Sequence, residues 1–203
     1  MQLHYTYTGR QPRNQRGVTM IEVLVTIVII TIGLLGLAGL QARIQAAELE
    51  SYQRVQALIL LQDMVDRIKA NRNQAVNYVT TAVGTGSTAV VLSTCTAMTG
   101  YQRDLCEWTA ALQGASEAAG SARLGAMIGA RGCISNPVAT MPYEFVISVA
   151  WQGMTPTSVP TASTCGQGLY GTNDALRRVV TSRVVFSCLQ NTTDATTCAA
   201  TTP

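Results

Sequence analysis

The sequence predicts an α+β protein: one long N-terminal helix, apolar in its first half, packed on a small antiparallel β-sheet domain with disulfide-stapled loops. Three observations predict it. Val18 to Leu40 form an unbroken run of 23 residues in which Glu22 is the single charge. The following stretch to Val79 holds no Gly or Pro and then gives way to a Gly-containing turn, TTAVGTGST. Two later runs, YEFVISVAW and RRVVTSRVVFSC, alternate apolar and polar residues with the period of two that strands require. The chain divides accordingly into a basic leader at 1–17, a transmembrane-length helix at 18–40, its amphipathic continuation at 41–80 and a globular domain at 81–203.

As a helix the apolar run spans about 35 Å, enough to cross a hydrocarbon core of roughly 30 Å. Arg10, Arg13 and Arg16 precede it, which keeps the N-terminus cytoplasmic and sends the remainder outward. A cleaved secretory signal has a shorter apolar core, of about 7–15 residues. A plain signal anchor is the closer rival, and Glu22 bears on it. Near the headgroups that carboxylate costs little. Deeper in an apolar assembly it costs about 2.5–3.5 kcal/mol unless it meets a cation. Gly33, Gly36 and Gly39 weaken the helix by roughly 1 kcal/mol each relative to Ala. They fit either close helix packing or a segment able to stretch.

Beyond the membrane, Val55, Leu58, Leu61, Val65 and Ile68 are expected to form the stripe that packs on the domain, giving one helix of about 50 residues. Tyr143, Phe145, Ile147, Val149 and Trp151 share one strand face. Val180, Val184, Phe186 and Cys188 share another, and the two strands are expected to pair antiparallel. TAVVLST reads as a shorter strand and DLCEWTAALQGASEA as a short helix. The Gly-, Pro-, Ser- and Thr-rich segment between the two main strands reads as a long loop.

Charge and cysteine usage narrow the function. The net charge is +3, yet without the three leader arginines the chain carries 11 basic and 11 acidic residues. Arg177, Arg178 and Arg183 cluster in sequence, but neither they nor the overall balance forms a polybasic face for DNA or RNA. Six cysteines, Cys95, Cys106, Cys133, Cys165, Cys188 and Cys198, all follow the apolar run. An even number beyond a membrane segment points to disulfides in an oxidising compartment. Six cysteines allow 15 connectivities; pairing neighbours closes the smallest loops, as Cys95–Cys106, Cys133–Cys165 and Cys188–Cys198. No C-x-x-C pair occurs, and the single histidine, His4, lies in the leader, so neither a metal site nor a catalytic histidine is expected. Gly84 and Gly86 are not followed by the Lys-Ser/Thr of a phosphate loop. Asp63 and Asp66 read as a solvated face beside Arg67 and Lys69. No cofactor and no enzymatic activity are expected.

The segment RGVTMIEVLV resembles the class III leader of type IV pilins and related pseudopilins, in which a basic leader ends in Gly and Glu stands at the fifth mature position. The resemblance implies a type IV pilin-like fold, cleavage after Gly17 by a prepilin peptidase, N-methylation of Val18 and a docking role for Glu22. Val18 departs from the usual Phe or Met, and Gly39 stands where pilins often have Pro. In such filaments the apolar helices leave the inner membrane and pack together, with the glutamate of an incoming subunit neutralising a neighbour's N-terminal amine. Later anchors, LQDMVDRIKANR with Tyr78, RGCI, VAWQG, CG and RRVV, look like the minor pilins of the type IV pilus modification family. That resemblance implies a subunit of a tip or priming complex that supports assembly, adhesion and twitching. Its expected partners are other minor pilins, the major pilin, the prepilin peptidase, the inner-membrane assembly platform and a large tip adhesin, with no nucleic acid. A minor pseudopilin of a type II secretion system and a signal-anchored envelope domain are the alternatives.

Overall fold

A computed structural model describes residues 17–115, 127–140, 142–171 and 173–187, with the backbone of 118–119 and 122–123. The chain divides into two compact units after Gln45. The division falls within a single helix, α1, Met20–Ala70, of 51 residues. Its first half is apolar on all sides and exposed, as expected of residues that find no partner in their own chain. Arg67 and Lys69 in the last turn complement the negative end of the helix dipole. Asn71 closes that turn by donating its N–H to the Arg67 carbonyl at 3.0 Å.

The second unit takes the C-terminal part of α1 as its spine. The buried face is Gln53, Ala57, Leu61, Met64 and Ile68, with Val65 beside it. This corrects part of the expected stripe. Val55 and Leu58 remain 52% and 46% exposed. At about 100° per residue a step of three falls short of a full turn, so the series 55, 58, 61 walks around the helix, whereas 53, 57, 61, 64, 68 stays on one side. The helix also stops at Ala70 rather than running to 80. A 3-10 helix, Arg72–Tyr78, follows, and β1, Thr80–Gly84, starts where a turn was expected.

After β1 come α2, Leu92–Cys95, and α3, Gly100–Leu112. TAVVLST is therefore not a strand: it supplies a loop and the start of α2. A two-residue ribbon pairs β2, Ala118–Ala119, with β3, Ala122–Arg123. The main sheet adds β4, Arg131–Val138, β5, Tyr143–Gln152, and β6, Arg177–Phe186, in the order β1-β4-β5-β6 with every neighbour antiparallel. β5 and β6 pair from Tyr143↔Phe186 through to Gln152↔Arg177.

The two sheet faces do different work. Phe145, Ile147, Val149, Trp151 and Val184 join α1 and Trp108 of α3 in one core. Trp108 also donates its indole N–H to the Leu60 carbonyl of α1 at 2.9 Å, tying α3 to the spine. β4 passes so close beneath that ring that a Cβ on Gly132 would stand 2.2 Å from it. The opposite face carries a smaller cluster of Ala150, Cys165 and Tyr170, with Cys133 and Val179 packed against it, where the 153–176 loop folds over the sheet.

Candidate functional site

Gly17, Val18 and Thr19 precede α1 and are not helical. Val18 is 70% exposed, and among the described residues nothing lies within 4 Å of a Cβ built on Gly17. The Thr19 carbonyl accepts the Glu22 N–H at 3.0 Å and the Val23 N–H at 3.3 Å, starting the helix. Glu22 thus sits in the first turn, where the positive end of the dipole favours a carboxylate. Four residues separate it from Val18, the position of the amine that cleavage would create. Thr26 and Thr31 turn their hydroxyls back onto the Val23 and Val28 carbonyls, both at 2.8 Å. The hydroxyls of these two threonines are thereby satisfied without water. Around Gly33, Gly36 and Gly39 the space is open, so no contact within the chain explains these glycines.

Of the six cysteines, Cys95 is joined to Cys106 and Cys133 to Cys165. The first bond ties α2 to α3. The second ties β4 to the 153–176 loop across the outer face of the sheet. Cys188 and Cys198 lie outside the described residues, as does most of the leader.

Charged residues that sequence reasoning set aside hold the domain in place. Arg67 of α1 donates to Asp63, to Asp104 of α3 at 3.1 Å and to Glu107 at 2.7 Å. Asp104 also accepts from Asn71 and, in a very short bond, from the Tyr78 hydroxyl. The anchor LQDMVDRIKANR with Tyr78 is thus a hinge pin between α1, the 3-10 helix and α3. Burial works against the Arg67 cation, but its bonds to Glu107, Asp63 and Asp104 outweigh that and hold it charged. Arg103 at 2.7 Å, then Arg67, hold the Glu107 carboxyl below its ordinary range. Burial, then the bond to Asp104, pushes the Tyr78 hydroxyl above its ordinary value.

Arg177 and Arg178 take opposite faces of β6, and neither serves a basic patch. Arg177 is 1% exposed and pairs with Asp174. Its other nitrogens donate to the carbonyls of Pro160 and Ser163, both at 2.7 Å, and of Cys165 at 3.1 Å. One guanidinium therefore clamps the 153–176 loop at three backbone points. Arg178 donates to Glu50 of α1 at 2.5 Å and to the Thr155 carbonyl at 2.6 Å. Tyr170 completes the strap by donating to the Gly129 carbonyl at 2.7 Å. Arg183 meets Glu144. The only signal in the sequence for Arg177 was a charge inside an alternating strand next to an aspartate turn.

Residues 12–38 match the prokaryotic N-terminal methylation motif. Residues 39–111 match the family described as type IV pilin Tt1218. The two matches adjoin, the first covering the residues around Gly17 and the apolar helix, the second the rest of α1 and the elements through most of α3. No curated protein and no solved structure matches the chain. The methylation motif, the long apolar helix and the small four-stranded antiparallel sheet with disulfide-bonded loops together give a type IV pilin-like architecture.

Proposed function

We propose that this chain is a minor pilin of the PilV type, cut after Gly17 and N-methylated at Val18 by a prepilin peptidase. It waits in the inner membrane with its leader in the cytoplasm. It then enters a tip or priming complex with other minor pilins, and so promotes growth of the pilus, presentation of a large adhesin, and twitching. The observation that carries this reading is the methylation motif at residues 12–38, which sets Glu22 four residues after the expected new amine at the head of an exposed apolar helix. A carboxylate entering an apolar filament core needs a cation there, and cleavage supplies one that methylation leaves charged. A disulfide-bonded domain that follows that helix in the chain supports a role in partner recognition.

The test is the N-terminus of the protein recovered from membranes of a host with an active prepilin peptidase, by intact mass and peptide sequencing. The expected chain begins at N-methylated Val18. A chain still beginning near Met1 removes the pilin route and leaves a signal-anchored envelope domain. Co-purification with minor pilins, rather than with secretion pseudopilins, then identifies the filament.

A further inference from the structure

The main sheet has two edges, and they are finished differently. β1 is five residues long, and its pairing with β4 is interrupted by a register shift. β6 is ten residues long, pairs with β5 at every position without a bulge, and contains no Pro. Short strands, bulges and Pro are the usual means of keeping a second chain off an edge, and β6 has none of them. Which of its backbone groups are free follows from the ladder. Gly153 donates its N–H to the Leu176 carbonyl at 2.7 Å, one step beyond the Gln152↔Arg177 pair, so 153 and 176 form a hydrogen-bonded pair. Such pairs recur at every second residue. The even-numbered residues of β6 therefore bond to β5, and the N–H and C=O of Val179, Thr181, Arg183 and Val185 point away from it. Among the described residues no strand lies on that side.

A second feature lies beside the same edge. A cavity of about 490 Å³ opens between Glu50 and Arg54 of α1 and Trp151, Val179 and Val180 of the sheet. Val179 packs its side chain on the opposite face, with the Ala150 and Cys165 cluster, so what it presents to the cavity is the strand itself. Arg54, on the cavity wall, is exposed and among the described residues has no carboxylate within ion-pair distance. Arg183 meets Glu144, yet its side chain stays 75% exposed.

We infer that the free edge of β6 receives an extended, acidic segment of a different subunit as a fifth strand. One apolar side chain of that segment enters the cavity beside Val180, and one carboxylate meets Arg183. In naming a subunit of the pilus as the source, the inference rests on the proposed function. Backbone pairing supplies the hold, and the two side-chain contacts supply the choice of partner. Side chains opposite Val180 and Arg183 take opposite faces of the new strand, so its apolar residue and its carboxylate stand three residues apart. The chain's own end does not meet this description. Residues 188–203 lie outside the described residues, and in their sequence Leu189 is the single large apolar residue. Leu189 follows Ser187 by two residues, whereas Val180 precedes Ser187 by seven, about 23 Å along the strand, so Leu189 cannot fill the cavity.

The full-length chain carrying Thr181→Pro, in a host with the prepilin peptidase and assembly machinery, tests this. The substitution removes one outward N–H and none of the bonds to β5, a position at which edge strands accept Pro. Recovery in sheared filaments should fall at least about tenfold, with Val18 methylated as in the parent. Thr181→Val, which keeps the N–H, should stay at the parental level. Arg183→Glu leaves the backbone intact and should lower recovery about fivefold; it decides the matter if Thr181→Pro does not fold. Amide exchange of the detergent-solubilised parent should be fast at Val179, Thr181, Arg183 and Val185 and slow at Val180, Ser182 and Val184. Slow exchange at the first set that is lost on removing residues 188–203 puts the chain's own end on the edge. Slow exchange that grows as the lone chain is concentrated puts a second copy there. Either result overturns the inference. So does parental recovery of both Thr181→Pro and Arg183→Glu with Val18 methylated, which leaves the pilin reading intact. A parent that is absent from filaments with Val18 unprocessed overturns both.

Discussion

At Arg177 a single side chain pins a 24-residue loop at three backbone points. Its fork meets Asp174 and the carbonyls of Pro160, Ser163 and Cys165. Arg177→Met leaves Asp174 buried beside one backbone N–H, from Gly168, and leaves three acceptors unpaired. The expected loss is about 3–5 kcal/mol, because an orphaned buried charge costs far more than the pair gains. Denaturant unfolding of the detergent-solubilised chain measures it. Asp174→Asn combined with Arg177→Met should lose clearly less than Arg177→Met alone, since the orphan carboxylate is gone. Tyr170, on the same strap, offers an optical readout. Burial pushes its hydroxyl up to about 12 from an ordinary 10. A folded value above the unfolded one stabilises below pH 10, and that contribution is lost as pH rises through 12. Absorbance titration should show late tyrosinates from Tyr78 and Tyr170, and Tyr170→Phe should reduce their amplitude by one tyrosine; an undiminished late component would mean the hydroxyl is not held as described.

Single elements are set by close approaches as much as by pattern. Trp108 lies on β4 only because position 132 has no side chain. Gly132→Ala forces the ring away and strains its bond to the Leu60 carbonyl, for an expected loss of about 1–3 kcal/mol with a shift in tryptophan fluorescence. The same fact explains why β4 was hidden in the sequence. RGCISNPV shows a Gly, a Ser, an Asn and a Pro where an apolar alternation would betray a strand, since Gly132 faces a ring that fills its place. β5 and β6 were legible because their core residues, Phe145, Ile147, Val149 and Val184, carry their own bulk. The α1 stripe was legible only where Leu61, Val65 and Ile68 are large; its upper part is buried through Gln53 and Ala57, which hydrophobicity does not mark. Nor does spacing reveal that Arg67, held by Asp63 of its own helix, reaches across to α3. That junction is pH-sensitive. Glu107 titrates lower folded than unfolded, so its contribution is full above the ordinary carboxylate range and disappears as pH falls through its folded value. Glu107→Gln should therefore flatten the acid limb of the stability curve while changing the neutral region less; an acid limb as steep as the parent's would place the sensitivity elsewhere.

For the whole molecule the deciding quantity is apolar surface with no partner in its own chain. From Val18 to Leu40 every side chain is exposed, and the hydroxyls within that stretch of helix bond to its own carbonyls. Such a segment is stable only in lipid or among others of its kind, and the apolar half of α1 was readable in the sequence for that reason. Glu22 is what separates the two environments. In lipid, at the first turn, it sits near the headgroups and is dispensable. In a filament core, on the proposed function, it would neutralise a charged amine. Glu22→Ala is then expected to leave cleavage, methylation and membrane retention unchanged. It should also strand the neighbour's amine, at about 3–5 kcal/mol, which lowers incorporation by at least about a hundredfold. Sheared surface filaments and membranes, probed on the same blot, measure the two sides of that ratio. Glu22→Asp keeps the charge on a shorter arm and should fall between. If Glu22→Ala entered filaments at the parental level, the carboxylate would be an ordinary interfacial group. If it failed to be cut, the defect would lie in recognition by the peptidase, which the mass of the N-terminal peptide distinguishes from a defect in docking.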